Sequence, residues 1–169
     1  MKGHEKKPGL SCFLPMKREA GEIIDIYRPA PQQAPRFDHV HGDSMARKKI
    51  LFIDDEELLR EAISELLEDM DYEVRVEQTG AGAVRTFAED PGEFDLVLTD
   101  LMMLDMRGDQ IAEKILSIRP SVPVVVMTGT PDNLPDHKAG AMGICKVLGK
   151  PLTRAELGEA IRQALSHAC

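Results

Sequence analysis

From Lys48 onward, short aliphatic runs alternate with longer stretches in which apolar residues return every three or four positions. That alternation is the pattern of repeated strand–helix units wound around a parallel sheet. It predicts strands over residues 48–53, 72–77, 94–99, 123–128 and 144–148. The first, third and fourth runs are nearly continuous, as strands covered on both faces must be, which places them at the centre of the sheet. The second alternates Val74 and Val76 with Glu73, Arg75 and Glu77, a pattern suited to an edge. The expected fold class is α/β, a five-stranded parallel sheet with helices on both faces.

The segments between the strands have helical period. Residues 57–70 set Leu58, Leu59, Ala62, Ile63, Leu66, Leu67 and Met70 on one buried stripe, opposite an acidic face. A helix over 80–89 stops at Asp90-Pro91-Gly92, and one over 108–118 stops at Arg119-Pro120. Thr153 and Glu156 form a capping box that opens the last helix, with Leu157, Ile161 and Leu165 facing inward. Between residues 131 and 141, two prolines and Gly140 leave room for only a short, weakly held helix, the expected mobile part of the domain.

Upstream the composition changes. Five of the eleven prolines fall between Pro8 and Pro35, and residues 29–35 would hold the backbone extended. Residues 1–46 therefore read as a proline-rich leader or linker, and residues 47–169 as a single domain. Within the leader, residues 22–27 have the composition of a short strand, which without a partner could equally stay disordered. Met45 offers a conceivable second start. His39-Val-His41-Gly-Asp43 echoes a metallo-hydrolase pattern, yet only His4, His137 and His167 remain as further ligands, so it is discounted.

The net charge of -8 is uneven: residues 1–46 carry seven Lys/Arg and six Asp/Glu, residues 47–169 carry 14 and 23. An acidic domain without a basic stripe is a poor nucleic-acid binder, so its expected partners are proteins and metal ions. No apolar stretch approaches the roughly 20 residues needed to span a bilayer, and no signal-peptide core opens the chain. A soluble, cytoplasmic protein is expected, with no membrane partner and with Cys12, Cys145 and Cys169 as reduced thiols.

The candidate chemistry sits where the aliphatic runs stop. Asp54, Asp55 and Glu56 follow the first, Asp100 the third, Thr128 the fourth and Lys150 the fifth. In a parallel sheet these groups share the edge where open α/β folds bind ligands. Carboxylates gathered there repel one another unless a cation joins them. Few carboxylates and all-oxygen ligands favour hydrated magnesium over calcium. Asp55 and Asp100 could ligate it directly, Asp54 through water, and the Met102 backbone carbonyl could complete the set. Lys150 and Thr128 offer a charge and a hydroxyl to a phosphoryl oxygen. Asp100, opening onto a loop, is the best carboxylate nucleophile for phosphoryl transfer. Beyond it, the side chains of Met102, Met103 and Met106 read as packing, Asp105 as a solvated loop residue and Asp109 as a helix start.

Residues 50–56 (Ile-Leu-Phe-Ile-Asp-Asp-Glu), 100–108 (Asp-Leu-Met-Met-Leu-Asp-Met-Arg-Gly), 125–129 (Val-Val-Met-Thr-Gly) and 148–152 (Leu-Gly-Lys-Pro-Leu) resemble the receiver domain of bacterial two-component response regulators. The resemblance implies a flavodoxin-like, doubly wound sheet of order 2-1-3-4-5. It implies that Asp100 accepts phosphate from a histidine kinase or a histidine phosphotransfer domain. Asp54 and Asp55 would hold Mg2+, while Thr128 and Lys150 bind the phosphoryl group and relay its arrival to a downstream protein partner. Such a module catalyses only its own phosphorylation and dephosphorylation. Residues 143–157 are closest to the C-terminal receivers of hybrid sensor kinases. Residues 9–15 are faintly similar to the last strand of a histidine-kinase ATPase domain, which would make the leader a kinase remnant.

Two positions depart from the family pattern. Leu104 stands where a proline is usual, so the loop after Asp100 is expected to be less rigid. Val147 stands where an aromatic ring usually turns inward as the threonine moves, which puts the standard switching route in question. A receiver-like scaffold that binds its partner constitutively is therefore an alternative. An aspartyl-phosphate phosphatase is another, although such enzymes carry a general-acid aspartate two residues after the nucleophile, where this chain has Met102.

Overall fold

The computed structural model describes residues 47–166. The elements run β1 (Lys49–Ile53), α1 (Glu57–Glu68), β2 (Glu73–Glu77), α2 (Gly80–Glu89), β3 (Leu96–Asp100), α3 (Gly108–Ile118), β4 (Val124–Thr128), a 3-10 turn (Pro131–Asn133), α4 (Asp136–Ala141), β5 (Lys146–Gly149) and α5 (Arg154–Ser166). All four strand pairings are parallel, in the order β2-β1-β3-β4-β5. The expected doubly wound topology is therefore the observed one. The leader, its possible strand, the kinase-like residues 9–15 and the histidine tract all lie outside the described residues.

Strict alternation along the central strands divides the core in two. Leu51, Ile53, Val97, Val124 and Val126 face a cluster completed by Phe87 of α2, Ile111 and Ile115 of α3 and Ala139 of α4. Ile50, Phe52, Leu96, Leu98, Val125 and Met127 face the other way, onto Ile63 and Leu67 of α1 and Leu157 and Ile161 of α5. Successive side chains of a strand point to opposite faces, so aliphatic residues at every position are what two helical layers require. At the far edge from the site, Arg119 closes one layer by donating to the carbonyls of Pro91 and Phe94 while lying over the Phe87 ring.

Some boundaries differ from expectation for packing reasons. Helix α1 ends at Glu68 rather than at residue 70, and its buried side chains are Ile63 and Leu67 only. Leu58 and Ala62, expected on the inward stripe, are exposed, Leu58 to 76%: they lie with Glu61 and Glu65 on the outward side of α1, while Leu59, Ile63, Leu66 and Leu67 face the core. Strand β3 extends to Asp100 itself, which pairs with Met127. Strand β5 runs from Lys146 to Gly149, leaving Ile144 buried just ahead of it. Cys145, expected as a reduced thiol, is disulfide-bonded. Among the described residues no helix is long and apolar enough to cross a membrane.

Helix α3 starts where the backbone comes closest to the sheet edge. The Gly108 amide donates to the Leu101 carbonyl (3.0 Å), and a Cβ on Gly108 would lie 2.2 Å from the Asp100 carbonyl oxygen. Neither backbone segment can yield. Gly108→Ala is expected to cost about 1–3 kcal/mol, measured by urea denaturation.

Candidate functional site

Because every strand is parallel, the ends of β1, β3, β4 and β5 lie on one edge of the sheet. Asp54 and Asp55 continue from β1, Asp100 closes β3, Thr128 closes β4 and Lys150 follows β5. The turn out of β1 is made by Asp54 itself, whose Oδ1 accepts the Glu56 amide (2.9 Å) while Arg60 donates to its carbonyl (3.0 Å). Lys150 is tied to the neighbouring strand end by its own amide, which donates to the Thr128 carbonyl (2.7 Å).

An ammonium group lies between two acids at the centre. Lys150 Nζ is 2.5 Å from Asp100 Oδ1 and 3.1 Å from Asp54 Oδ2. Asp54 is 1% exposed and Asp100 6%, so the charges are shielded from water. Burial pushes the Asp54 carboxyl above its ordinary value, even though the Glu56 amide and Lys150 favour its ionised form. Burial would also depress Lys150, but its contacts with Asp100 and Asp54 outweigh that and hold it above its ordinary value. The asymmetry follows depth: the lysine side chain keeps 23% exposure, against 2% for Asp54. One ammonium facing two carboxylates leaves an excess of negative charge, which attracts a further cation.

The loop after Asp100 contributes backbone donors. The Met102 amide donates to Asp100 Oδ2 (2.7 Å), a contact additional to the carbonyl expected as a ligand. The Leu104 amide donates to Asp55 Oδ2 (2.9 Å). Proline has no N–H and could not make that bond, so Leu104 ties the loop to Asp55 through its backbone. Asp105 is not a free solvated residue either: its two carboxylate oxygens accept the Gly80 and Ala81 amides, each at 3.1 Å. Slight burial would raise its pKa, but the amides of Ala81, Gly80 and its own turn hold it below the ordinary value. A sequence signal for this existed, because the first turn of α2 contains no acid of its own.

The remaining expected residues are placed as follows. Thr128 is fully buried, and its hydroxyl accepts the Thr130 amide (3.1 Å). Met103 packs in the core and Met106 against it, as expected, but Met102 is 53% exposed and lies 3.6 Å from an Arg107 nitrogen. Asp109 stands in the first turn of α3, paired with Arg107 (3.0 Å). Val147 is half-buried against the core and borders a hollow of about 330 Å³ lined also by Pro131, Asp132, Leu134, Pro135 and Asp136.

Among the described residues no three acidic, histidine or cysteine side chains converge into a cage of their own. Magnesium does not need one, since it retains several waters and is commonly held by one or two carboxylates together with substrate phosphate. The oxygens of Asp54, Asp55 and Asp100 suit such an ion, and the shielded excess charge favours it.

Residues 50–162 match the family described as the response regulator receiver domain. The response regulator receiver protein CpdR of Brucella abortus (strain 2308) is 31% identical over 121 residues, covering 72% of this chain and 99% of CpdR. The DNA-binding transcriptional regulator NtrC of Azospirillum brasilense is 30% identical over 122 residues, 72% of this chain but only 25% of NtrC, so the chain spans about a quarter of that relative. A response regulator receiver domain protein from Clostridium thermocellum has a similar structure, with TM-score 0.66 and 34% identity over 70% of this chain and 94% of that one. The response regulator TrrA of Thermotoga maritima, solved in complex with Mg2+ and BeF, gives TM-score 0.63 at 26% identity over 69% and 98%.

A raised Asp54 carboxyl means that the folded chain holds a proton there more readily than the unfolded chain. In metal-free buffer, stability should therefore fall as pH rises from about 4 through the folded-state value. Asp54→Asn is expected to raise the thermal midpoint by a few degrees at neutral pH, flatten that part of the profile and abolish stabilisation by MgCl2. Thermal denaturation across pH, with and without MgCl2, checks all three.

Proposed function

This chain belongs to the response regulator receiver domain family, and on that premise we propose that it is a phosphorelay receiver whose Asp100 takes a phosphoryl group from a phosphohistidine. The donor is a histidine kinase or a histidine phosphotransfer domain, and the resemblance of residues 143–157 to hybrid-kinase receivers favours that source. The reaction depends on Mg2+ held by Asp54, Asp55 and Asp100, with the Met102 carbonyl as a further ligand. The product alters which protein the domain binds. We place the chain in the cytoplasm, and it turns over no external substrate.

The observation that carries this reading is the Asp100 carboxylate, with one oxygen on Lys150 (2.5 Å) and the other on the Met102 amide (2.7 Å), beside an exposed loop. An Asp100 oxygen attacks phosphorus in line, the P–N bond breaks, and its electron pair leaves with the imidazole nitrogen. Lys150 turns its charge from the carboxylate to the phosphoryl oxygens. Thr128, whose oxygen already accepts the Thr130 amide, still has its own proton to donate to the product. When bound, Mg2+ neutralises charge developing on the transferred oxygens.

A second reading rests on Val147 and the hollow beside it, where no ring is present to swing inward. On that reading the domain is a constitutive scaffold, and beryllium fluoride with MgCl2 would leave the Val147 methyl resonances unmoved. The switching reading expects them to shift.

Incubation with acetyl phosphate and MgCl2 should add one phosphate to the wild-type chain, read by intact mass. EDTA and Asp100→Asn should each abolish it, and Lys150→Ala should slow it on the order of a hundredfold. An unmodified wild type, or an adduct that persists on Asp100→Asn, would overturn the assignment of Asp100.

A further inference from the structure

We propose that Asp105 is a positioning residue for the phosphoacceptor site: it docks the loop after Asp100 onto the N-terminus of α2, so that two loop amides face the acidic site. The inference rests on the reading of Asp100 as acceptor and Asp55 as a magnesium ligand.

Three contacts on one short loop carry it. Within residues 101–107, the Met102 amide holds Asp100 Oδ2 and the Leu104 amide holds Asp55 Oδ2, at 2.7 and 2.9 Å. The next side chain, Asp105, reaches away from the acids and takes the Gly80 and Ala81 amides, one with each oxygen, at 3.1 Å. A carboxylate at a helix start gains both the free N–H groups and the favourable end of the helix dipole. Helix α2 has its own cap in Thr79, whose hydroxyl accepts the Gly82 amide (3.1 Å), so the Asp105 bonds are additional to ordinary capping.

Steric evidence points to the same docking. A Cβ on Gly80 would lie 2.7 Å from Ile111 Cδ1 and 2.8 Å from Met106 Cβ. The bare backbone at Gly80 thus lets Met106, adjacent to Asp105, approach α2 closely. At the other end the loop is fastened by the Gly108 amide on the Leu101 carbonyl (3.0 Å). Between the two fastenings lie the exposed residues Met102 and Leu104, whose side chains contribute little packing of their own; Leu104 is 98% exposed. Met103, between them, is buried in the core and holds the middle of the loop. Without Asp105 the peptide units of Met102 and Leu104 would be aimed at the acids only by that one side chain and their own two amide bonds. Their orientation would then loosen through chain entropy.

The test compares Asp105→Ala, Asp105→Asn and Thr79→Ala in the full chain. Mg2+ affinity is measured by calorimetry, phosphorylation rate by intact mass with acetyl phosphate, and stability by thermal denaturation. Asp105→Ala should weaken Mg2+ binding and slow phosphorylation by about tenfold each. Asp105→Asn, which keeps one acceptor oxygen, should recover part of both. Thr79→Ala, which weakens α2 without releasing the loop, should lower the thermal midpoint and leave both parameters at wild-type values. Wild-type Mg2+ affinity in Asp105→Ala, or equal losses in Asp105→Ala and Thr79→Ala, would overturn the proposal. If Asp105→Ala does not fold, Asp105→Asn against Thr79→Ala carries the same comparison. Mg2+ bound without any phosphate transferred to the wild type would refute the acceptor reading while the affinity arm still decides the role of Asp105. A wild type that binds no Mg2+ refutes both.

Discussion

One ammonium shared by two buried carboxylates sets the terms for the rest of the site. Asp54 and Asp100 arrive at the same edge because β1 and β3 are adjacent parallel strands, and Lys150 reaches them from the far side of β4. Burial strengthens the attraction between opposite charges and also raises the cost of any charge left over. Three groups with an odd total charge cannot all be neutralised among themselves. The arrangement leaves an excess of negative charge, which favours a further cation at this edge.

The fold withstands that electrostatic load through its two apolar layers. Every aliphatic side chain of the central strands is committed to one helical layer or the other, so the strand ends cannot slide apart to relieve repulsion. A one-residue slip would turn each aliphatic side chain to the wrong face. The loop carrying Met102 and Leu104 is held differently, by polar contacts at both ends and by Met103, whose side chain enters the core between the two exposed residues.

Much of this was legible from residue order alone. The continuous runs of β1, β3 and β4 identified the centre of the sheet, and Thr153 with Glu156 marked the start of α5, where Glu156 Oε2 does accept the Thr153 amide (2.9 Å). Asp54, Asp55, Asp100, Thr128 and Lys150 were legible for the same reason: strands that stop at a polar residue place it at the edge. Misreadings arose where a residue's surroundings come from distant segments. Leu58 has nearly the period for burial but falls on the outward side of α1, and the bond from the Leu104 amide to Asp55 depends on a segment 49 residues away. Asp105 looked solvated because the amides it accepts lie 24 and 25 residues earlier in the chain.

The division between the two kinds of information has a physical origin. Periodicity and the identity of strand-end residues are local properties, and local sequence therefore determined the α/β class, the layer order and the list of acids, hydroxyl and ammonium. Which oxygen of Asp100 faces Lys150 and which faces Met102, whether Asp54 or Asp55 is the deeper acid, and what anchors the acceptor loop depend on the approach of segments tens of residues apart. Only the packed tertiary structure decided those, because hydrogen-bond direction and desolvation are set by neighbours that the linear chain does not specify.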